Sequence, residues 1–431
     1  MNQDEKEKIV VCAVNSDMSL DGVELSILQF TYLDKDNDQW QINTLFFEKF
    51  GYTDDLRKKI ISTIKEYSKT TQKKFDDTSA NELEEDYGKF IEDLLLQLDE
   101  KIKSFSVNLY AFNTLLIQLI EFNEEKPKSA VFLSKFCQKI ANNQQQQQRV
   151  ICNFFAYDFY LKGKGGPYQI IGQAKLFQQQ EAQINLSGFA SFTHFKNKDD
   201  KDTYNGDFIC AAMFALNYAS QWKKDNLSKG IQDKKYDDEF LQKLLQMKFN
   251  YSVQYMGNLM EIIDQSKLDT VTKVSTLKQY IFQQIQSYLN SINQQGIVYV
   301  AGNFSEDLFD VLKKEINKVQ LQKSKDHQQI DSINTGFLAV RKNKQLLNIF
   351  KNVTKAKSDH SSGVIYIKTD KPITITKEPE LKKPPQQPQP SQSHQQSKQR
   401  LEHSEDFDLA IQIQDLRQDI KISQTKPISK K

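Results

Sequence analysis

Glycine is scarce in this sequence. The chain has 15 glycines among 431 residues, roughly half of the usual share of about 7%. Loops that bind nucleotide phosphates need glycine, because a side chain at these positions would keep the backbone N–H groups away from the phosphate. The low glycine content therefore argues against an ordinary nucleotide-dependent enzyme of this length.

Cysteine and histidine are also rare. The four cysteines lie far apart and form no C-x-x-C pair, and three of them lie within apolar runs. This placement is typical of small buried side chains in a reducing compartment. No two of the five histidines have the spacing of metal ligands on one helix face. The sequence therefore does not indicate a metal site built from histidine or cysteine.

The charge balance and the lack of long apolar runs exclude two more classes. The 58 Lys and Arg residues against 56 Asp and Glu leave a net charge of +2, too small for a nonspecific nucleic-acid binder. No segment approaches the run of about 20 apolar residues that crosses a membrane. The N-terminus has the pattern of neither a signal peptide nor a transit peptide. We predict no nucleic-acid partner, no membrane and a cytoplasmic location.

Prolines are confined largely to the end of the chain. Seven of the nine fall from residue 372 onward, together with many Gln, Ser and Lys residues, and this composition predicts a disordered tail over residues 371–431. Within the tail, Leu409, Ile413, Leu416 and Ile420 have helical spacing, which predicts a short amphipathic helix near residues 404–421. An isolated helix of this length is marginal in water. It either docks, on the body or on a partner, or remains a solvated, fluctuating helix.

The body of the chain alternates strand and helix patterns. Two successive sets each run from a strand and hairpin into helices, which predicts an α/β protein with an N-terminal lobe (residues 1–150), a C-terminal lobe (residues 151–370) and a cleft between them. The predicted strands are 9–14, 23–33, 39–47, 183–193 (a strand, a turn and a returning strand) and 296–302. The predicted helices are 54–67, 81–102, 115–122, 208–222, 239–247, 271–289 and 305–319, and the polar insert at residues 142–148 is predicted to be a surface loop.

A family resemblance joins these segments. Residues 15–24 resemble the M-S-G-T-S-x-D-G-[IV]-D signature of the anhydro-N-acetylmuramic acid kinases, which are bacterial sugar kinases. Further segments resemble motifs of the same family in the same order, at residues 52–57, 86–90, 153–167, 185–193, 202–207, 301–303, 331–339 and 352–356. The resemblance implies a two-lobed actin-like sugar-kinase fold, with mixed five-stranded sheets flanked by helices, and it is compatible with a homodimer.

The resemblance also implies roles for individual residues. Asp158 matches the general base that activates water to open the anhydro ring, and Asp21 matches the carboxylate that organises Mg²⁺ and phosphate, which makes it the candidate metal ligand. Both roles need carboxylates in a cleft. The residues that match the phosphate and nucleotide loops are Ser16, Ser19, Asp21, Gly22, Gly188, Gly206 and Gly302.

Several positions depart from the family pattern. In the first phosphate loop Asp17 replaces a glycine and Met18 replaces a threonine, so a carboxylate and a bulky thioether stand where a phosphate would bind. On the sugar side the family's H-G-Q-T segment is missing near residues 109–114. The remaining substitutions are Ser187, Tyr204, Asn205, Ala301 and Lys355 in the other loops, and Phe155 where the family has an arginine.

These departures favour a catalytically degenerate pseudokinase that serves as a structural or interaction subunit, with no cofactor expected and Asp158 a vestigial base. Asp21 with Gly22 also suits a strand turn, and Asp158 also suits a loop hydrogen bond. One alternative is an active ATP- and Mg²⁺-dependent amino-sugar kinase, and another is a sensor that binds without turnover. The abundance of Gln, Asn and Lys suggests, by analogy with repurposed enzymes of protists, a ciliary axoneme as the assembly.

Overall fold

The computed structural model describes residues 7–69, 77–113, 120–123, 126–129, 134–143, 148–232, 235–250 and 252–368. The predicted tail, its helix at residues 404–421, and residues 144–147 of the polar insert lie outside these ranges.

The described strands and helices alternate along the chain. The strands are β1 (Lys8–Asn15), β2 (Gly22–Asp34), β3 (Gln39–Gly51), β4 (Leu109–Asn113), β5 (Ile120–Asn123), β6 (Lys126–Ser129), β7 (Arg149–Cys152), β8 (Ala182–Leu186), β9 (Ala190–His194), β10 (Asn205–Cys210), β11 (Ile297–Ala301), β12 (Gln320–Lys323) and β13 (Val364–Tyr366). The helices are α1 (Asp54–Ser68), α2 (Asp77–Gln97), α3 (Asp99–Ser104), α4 (Ser134–Asn143), α5 (Ala156–Tyr160), α6 (Gln169–Lys175), α7 (Ala212–Ser220), α8 (Lys224–Gln232), α9 (Asp238–Gln246), α10 (Val253–Gln265), α11 (Thr270–Ser291), α12 (Ser305–Glu315), α13 (Ile330–Asn343) and α14 (Lys351–Thr354).

Two mixed sheets form the framework. The first has the order β13-β7-β4-β1-β2-β3 and the second has the order β10-β9-β8-β11-β12. In the first sheet β1, β2 and β3 are antiparallel neighbours, and β4 and β7 lie parallel to β1 on the side away from β2. In the second sheet β8, β9 and β10 are antiparallel neighbours, and β11 and β12 lie parallel to β8 on the side away from β9. The same order occurs twice, and the predicted α/β class with two mixed sheets flanked by helices is confirmed.

The first sheet differs from the expected five strands, because it has a sixth. Strand β13, near the end of the described chain, pairs antiparallel with β7 through Val364 and Cys152. Helix α13 packs on β1, β2 and β4 of the same sheet, and the Ser26 and Ser332 hydroxyl oxygens lie 2.6 Å apart between β2 and α13. The late part of the chain thus returns to the N-terminal lobe, and β7 itself spans the predicted lobe boundary at residue 150.

Two of the predicted helices were partly wrong. Residues 120–122 of the predicted helix 115–122 belong to strand β5, and its residues 115–119 lie outside the described ranges. Residues 208–210 of the predicted helix 208–222 belong to strand β10. Short apolar runs do not distinguish a strand from a helix by periodicity alone. Helix α10 was not predicted from the sequence, although Ser252 begins it with a side chain that accepts a hydrogen bond from the Tyr255 N–H.

Candidate functional site

The site lies where the loop after β1 meets the loop after β8. We call residues 16–21 the first loop and residues 187–189 the second loop. The Asp17 carboxylate joins them, because Oδ2 accepts a hydrogen bond from the Gly188 N–H at 2.8 Å. Its Oδ1 accepts a second hydrogen bond from the Ser19 N–H at 2.9 Å. Both N–H groups belong to segments that resemble phosphate-binding loops. The Gly188 N–H, which would donate to a phosphate oxygen in such a loop, donates to a carboxylate of the chain itself.

The backbones of the two loops are in direct contact. A Cβ placed on Gly188 would lie 2.4 Å from the carbonyl carbon of Met18 and 2.4 Å from the nitrogen of Ser19, far inside van der Waals contact. Gly188 therefore permits the close approach of the two loops. The contact leaves no space for a phosphate group between the second loop and the Met18–Ser19 peptide.

Side chains of α1, of α7 and of the turn after α7 hold the first loop in place. The Ser19 carbonyl oxygen accepts hydrogen bonds from Asn217 Nδ2 at 3.0 Å and from Trp222 Nε1 at 3.3 Å. From α1, Arg57 Nε donates to the Leu20 carbonyl oxygen at 3.1 Å. The Arg57 guanidinium also lies over the Trp222 ring, 5.3 Å from its centroid. Groups from both lobes thus converge on the first loop.

Four carboxyl groups surround the contact, and we call Asp17, Asp21, Glu24 and Asp331 the carboxylate cluster. Asp21 Oδ1 accepts from Ser19 Oγ at 2.6 Å, and Asp21 Oδ2 pairs with Lys49 Nζ at 2.7 Å. Asp331 Oδ1 accepts from Asn185 Nδ2 at 2.7 Å. The Glu24 side chain is buried, at 1% exposure, and both of its oxygens lack a hydrogen-bond partner in the described structure.

The environment of Asp17, Glu24 and Asp331 favours protonated carboxyl groups. Burial and the neighbouring Asp21 charge raise the pKa of Asp17, and burial with the Asp331 charge raises the pKa of Glu24 well above its usual value. Burial, with the Asp17 charge, raises the pKa of Asp331 to about 7. Burial works to lower the pKa of Lys49, but the surrounding carboxylates raise it overall. Lys49 is therefore the cation of a site in which carboxyl groups outnumber basic groups.

Asp21, the candidate metal ligand, has both oxygens in use. They contact Ser19 and Lys49, and an ammonium group 2.7 Å from a carboxylate oxygen opposes a divalent cation at the same oxygen. Within the described ranges, no group of three or more His, Cys, Asp or Glu side chains has an arrangement that holds a metal ion. The residues present do not fit Mg²⁺ with a nucleotide phosphate.

Three of the other matched residues lie in or beside this region. Ser16 Oγ is hydrogen-bonded to the Tyr87 hydroxyl. A Cβ on Gly22 would lie 2.0 Å from the Phe50 carbonyl oxygen, so this glycine serves the pairing of β2 with β3. Gly302 has φ of +99°, and its Cβ would lie 2.5 Å from Asn185 Oδ1, which places the turn after β11 beside the amide that holds Asp331.

The loop at residues 202–207, the third segment that resembles a phosphate loop, holds a buried aromatic side chain. Tyr204, which replaces a glycine of the family pattern, is buried, and its hydroxyl donates to the Lys198 carbonyl oxygen. Its ring packs edge-on against Phe350 with 4.9 Å between centroids. Gly206 follows on β10, where a Cβ would lie 2.9 Å from the Phe192 carbonyl oxygen and 3.1 Å from Val353. Both residues are part of the packing of β10 against β9 and α14.

Asp158 lies in a second group of residues, apart from the carboxylate cluster in its hydrogen bonding. Its Oδ1 accepts from Thr354 Oγ1 at 2.6 Å, and its Oδ2 accepts from the Gly165 N–H at 2.7 Å. The side chain is fully buried, and burial raises its pKa to about 6. Asp158 thus holds the loop at residues 163–165 against α14.

His360 completes this second group. Its Nε2 lies 3.6 Å from Asp158 Oδ1, and its Nδ1 lies 3.0 Å from the Ser358 carbonyl oxygen. Since a carbonyl oxygen only accepts, Nδ1 carries the proton and Nε2 is bare. Burial lowers the pKa of His360 to about 4, so the imidazole is neutral at neutral pH.

The sequence-predicted residues therefore fall into two groups. Ser16, Ser19, Asp21, Gly22, Gly188 and Gly302 lie in or beside the carboxylate cluster, whereas Asp158 and Gly206 lie beside α14. Sequence reasoning missed the other parts of the cluster and the groups that bind the first loop, namely Glu24, Lys49, Arg57, Asn185, Asn217, Trp222 and Asp331. One signal was present in the sequence, because Glu24 is a carboxylate inside an apolar strand.

Comparison with known proteins finds only distant likeness. No protein-family model and no curated protein sequence matches the chain. Solved structures that resemble it include the ADPNP-bound activator of the 2-hydroxyisocaproyl-CoA dehydratase from Clostridium difficile, with 10% identity, 79% of this chain and 99% of that chain covered, and a TM-score of 0.35. Component A of the (R)-2-hydroxyglutaryl-CoA dehydratase from Acidaminococcus fermentans has 10% identity, with 78% of this chain and 99% of that chain covered and a TM-score of 0.35. A 15-stranded ParM filament from Clostridium botulinum has 9% identity, with 77% of this chain and 99% of that chain covered and a TM-score of 0.28.

A separate observation concerns membranes. Among the residues with described placement, none of the helices has the length and apolar character required to span a bilayer.

Proposed function

We propose that this protein is a catalytically degenerate relative of the anhydro-N-acetylmuramic acid kinases, which acts as a structural or interaction subunit of a larger assembly. The observation that carries the proposal is the hydrogen bond from the Gly188 N–H to the Asp17 carboxylate. In a kinase with phosphate loops of this kind, a backbone N–H at such a turn would donate to a phosphate oxygen. Here a carboxylate of the first loop accepts that hydrogen bond.

Electrostatics supports the same conclusion. Two like unit charges about 4 Å apart repel by about 4 kcal/mol at an effective dielectric constant of about 20. Asp17 contacts the donor that a phosphate would use, and Asp21, Glu24 and Asp331 add further acid with Lys49 as the facing cation. A nucleotide phosphate would therefore have to displace Asp17 from Gly188, and it would repel any of these carboxyl groups that is ionised.

The state of Asp158 also favours lost catalysis. A general base must reach the proton that it abstracts, whereas both Asp158 oxygens are hydrogen-bonded to the chain and the side chain is fully buried. The alternative of an active amino-sugar kinase would need Asp158 to leave Thr354 and Gly165, and Asp17 to leave Gly188. The inward-facing hydrogen bonds favour the degenerate protein.

Binding of ATP–Mg²⁺ to the purified full-length chain tests the proposal. We expect no heat in calorimetry and no thermal shift at millimolar nucleotide, since a ligand at about 100 times its Kd would stabilise the fold by about 2.7 kcal/mol. The matched variant carries Asp17→Gly and Met18→Thr, which restores the family residues of the first loop and is expected to bind more tightly than the wild type. Micromolar binding to the wild type, or phosphate transfer to the amino sugar that Asp158→Asn abolishes, would overturn the proposal.

Interaction with protein partners is the second part of the proposal. The predicted amphipathic helix at residues 404–421 supplies one docking element, and the sequence composition suggests a cytoplasmic assembly such as a ciliary axoneme. A pull-down with the full chain and with a chain that lacks residues 401–421 measures the contribution of this helix. Identical partners in both samples would remove the helix from the proposal.

A further inference from the structure

Carboxylate oxygens crowd the Ser19 hydroxyl. The Ser19 hydroxyl oxygen lies within hydrogen-bond distance of Asp17 Oδ1 and, at 2.6 Å, of Asp21 Oδ1. A hydroxyl carries a single hydrogen, so two carboxyl groups compete for one donor at this point. The first loop therefore brings two acidic side chains together with one hydroxyl hydrogen between them.

The surroundings of Glu24 favour a neutral carboxyl group. Its side chain is 1% exposed, and neither oxygen has a hydrogen-bond partner in the described structure. An ionised carboxylate without hydrogen bonds is costly to bury, and such a group remains neutral instead. Asp331 is similar, because Oδ1 accepts from Asn185 while its buried Oδ2 lacks a partner. The packed cleft therefore favours neutral forms of carboxyl groups that are ionised in water at neutral pH.

Several elements contribute charge around the cluster. Asp17 and Asp21 lie on the first loop, Glu24 on β2, Lys49 on β3 and Asp331 on α13. Arg57 of α1 binds the Leu20 carbonyl oxygen, and its guanidinium pairs with Asp54. From the second lobe, the described groups that contact the first loop and the cluster are uncharged, namely the Gly188 N–H, the Asn185 and Asn217 amides and the Trp222 indole. One cation, Lys49, thus faces four acids, and full ionisation would leave a net negative cleft.

We propose that Asp17, Glu24 and Asp331 of the carboxylate cluster form a proton-dependent latch, which holds the two lobes closed while these groups are protonated and releases them when the protons are lost. The inference rests on the proposed function, since it assumes that the loops close on each other without a nucleotide. The direction follows from the buried oxygens of Glu24 and Asp331 that have no hydrogen-bond partner in the described structure. The closed cleft binds protons that an open, hydrated cleft would release, so a rise in pH favours the open state.

Trp222 provides a direct reporter of the latch. Its indole N–H donates to the Ser19 carbonyl oxygen across the lobe contact, and the chain has only one other tryptophan, Trp40. In a Trp40→Phe background, opening of the cleft would hydrate Trp222 and shift its emission to longer wavelength. The complementary Trp222→Phe protein, in which Trp40 is the remaining tryptophan, is the spectroscopic control and should show no such shift.

The experiment follows Trp222 emission and the radius of gyration from small-angle scattering between about pH 5 and about pH 9, where partly buried carboxyl groups titrate. We expect a cooperative red shift and an increase in radius as the pH rises. Asp17→Asn, Glu24→Gln and Asp331→Asn keep the shape but cannot ionise, so each should move the midpoint up by about one pH unit or more, or abolish the transition. Asp310→Asn, which neutralises an exposed carboxyl group on α12, is the matched control and should leave the midpoint unchanged.

A wild-type protein whose emission and radius do not change over this range would overturn the latch, and so would a transition that none of the three cluster variants moves. Far-ultraviolet circular dichroism on the same samples separates opening from unfolding, and loss of helix signal at the midpoint would also count against the latch. A nucleotide titration near pH 6 is a separate readout. Binding of ATP together with a normal pH transition would overturn the proposed function while leaving the latch in place.

Discussion

Gly188→Ala tests the central contact of the molecule most directly. The added Cβ would lie 2.4 Å from two backbone atoms of the first loop, and neither atom can move aside as a flexible side chain would. The two loops must separate, which also breaks the hydrogen bond from the Gly188 N–H to Asp17. Overpacking costs about 1–3 kcal/mol, and a typical hydrogen bond contributes about 0.5–1.5 kcal/mol. The free energy of unfolding should therefore fall by about 1.5–4.5 kcal/mol.

Urea unfolding and thermal denaturation measure this loss, and Tm should fall by about 2–4 °C for each kcal/mol in a chain of this size or somewhat smaller. The matched control is Gly51→Ala on β3. A Cβ at that position has its nearest neighbour, the Asp21 carbonyl oxygen, at an ordinary 3.7 Å. Equal stabilities of Gly188→Ala and Gly51→Ala would refute the reasoning, because the loops would then not be in the contact described.

Two further predictions concern buried charges elsewhere. Burial raises the pKa of Asp158 to about 6, so its contribution to stability is complete below about pH 4 and is lost as the pH rises through about 6. Burial lowers the pKa of His360 to about 4, so its contribution is complete above about pH 6.5 and is lost as the pH falls toward 4. These slopes oppose each other, so in Asp158→Asn the free energy of unfolding from urea titrations should rise with pH between about 4 and 6.5 more steeply than in the wild type; an unchanged slope would contradict the assignment. Arg341 is nearly buried and donates from one guanidinium nitrogen to both Asp38 oxygens at 2.9 Å, so Asp38→Ala should cost about 3 kcal/mol by equilibrium unfolding because it leaves a buried cation unpaired. Adding Arg341→Met should restore part of that loss, and a double variant as unstable as the single one would count against the pair.

The predicted architecture depended on patterns that are local in the sequence. The buried run of β1 and the long hairpin of β2 and β3 were predicted close to their observed bounds, since strand signals repeat every two residues. Helices α9, α11 and α12 were also predicted, because their apolar residues recur with helical spacing. Strand β13 was not predicted, because three residues are too few to show a periodicity. Its pairing with β7 joins residues that lie more than 200 positions apart in the sequence.

The candidate site shows the same division. The resemblance drew attention to Asp17 as a carboxylate where a glycine was expected, and to Gly188 in the second loop. It did not indicate that these two residues bind each other, because they are 171 positions apart. The interpretation of Asp158 also depended on its neighbours, since only the fold brings Thr354 and Gly165 to its two oxygens.

The sequence by itself determined the alternation of strands and helices, the two similar sets of elements, and the loss of glycine at loops that would face a phosphate. These features depend on side-chain type and on short spacings, which each segment carries alone. Tertiary structure alone decided how acidic the cleft is and how it is held. Glu24 and Asp331 become neighbours of Asp17 only when β2 and α13 pack together, and the pKa of a carboxyl group depends on the burial and charges around it, whatever their distance along the chain.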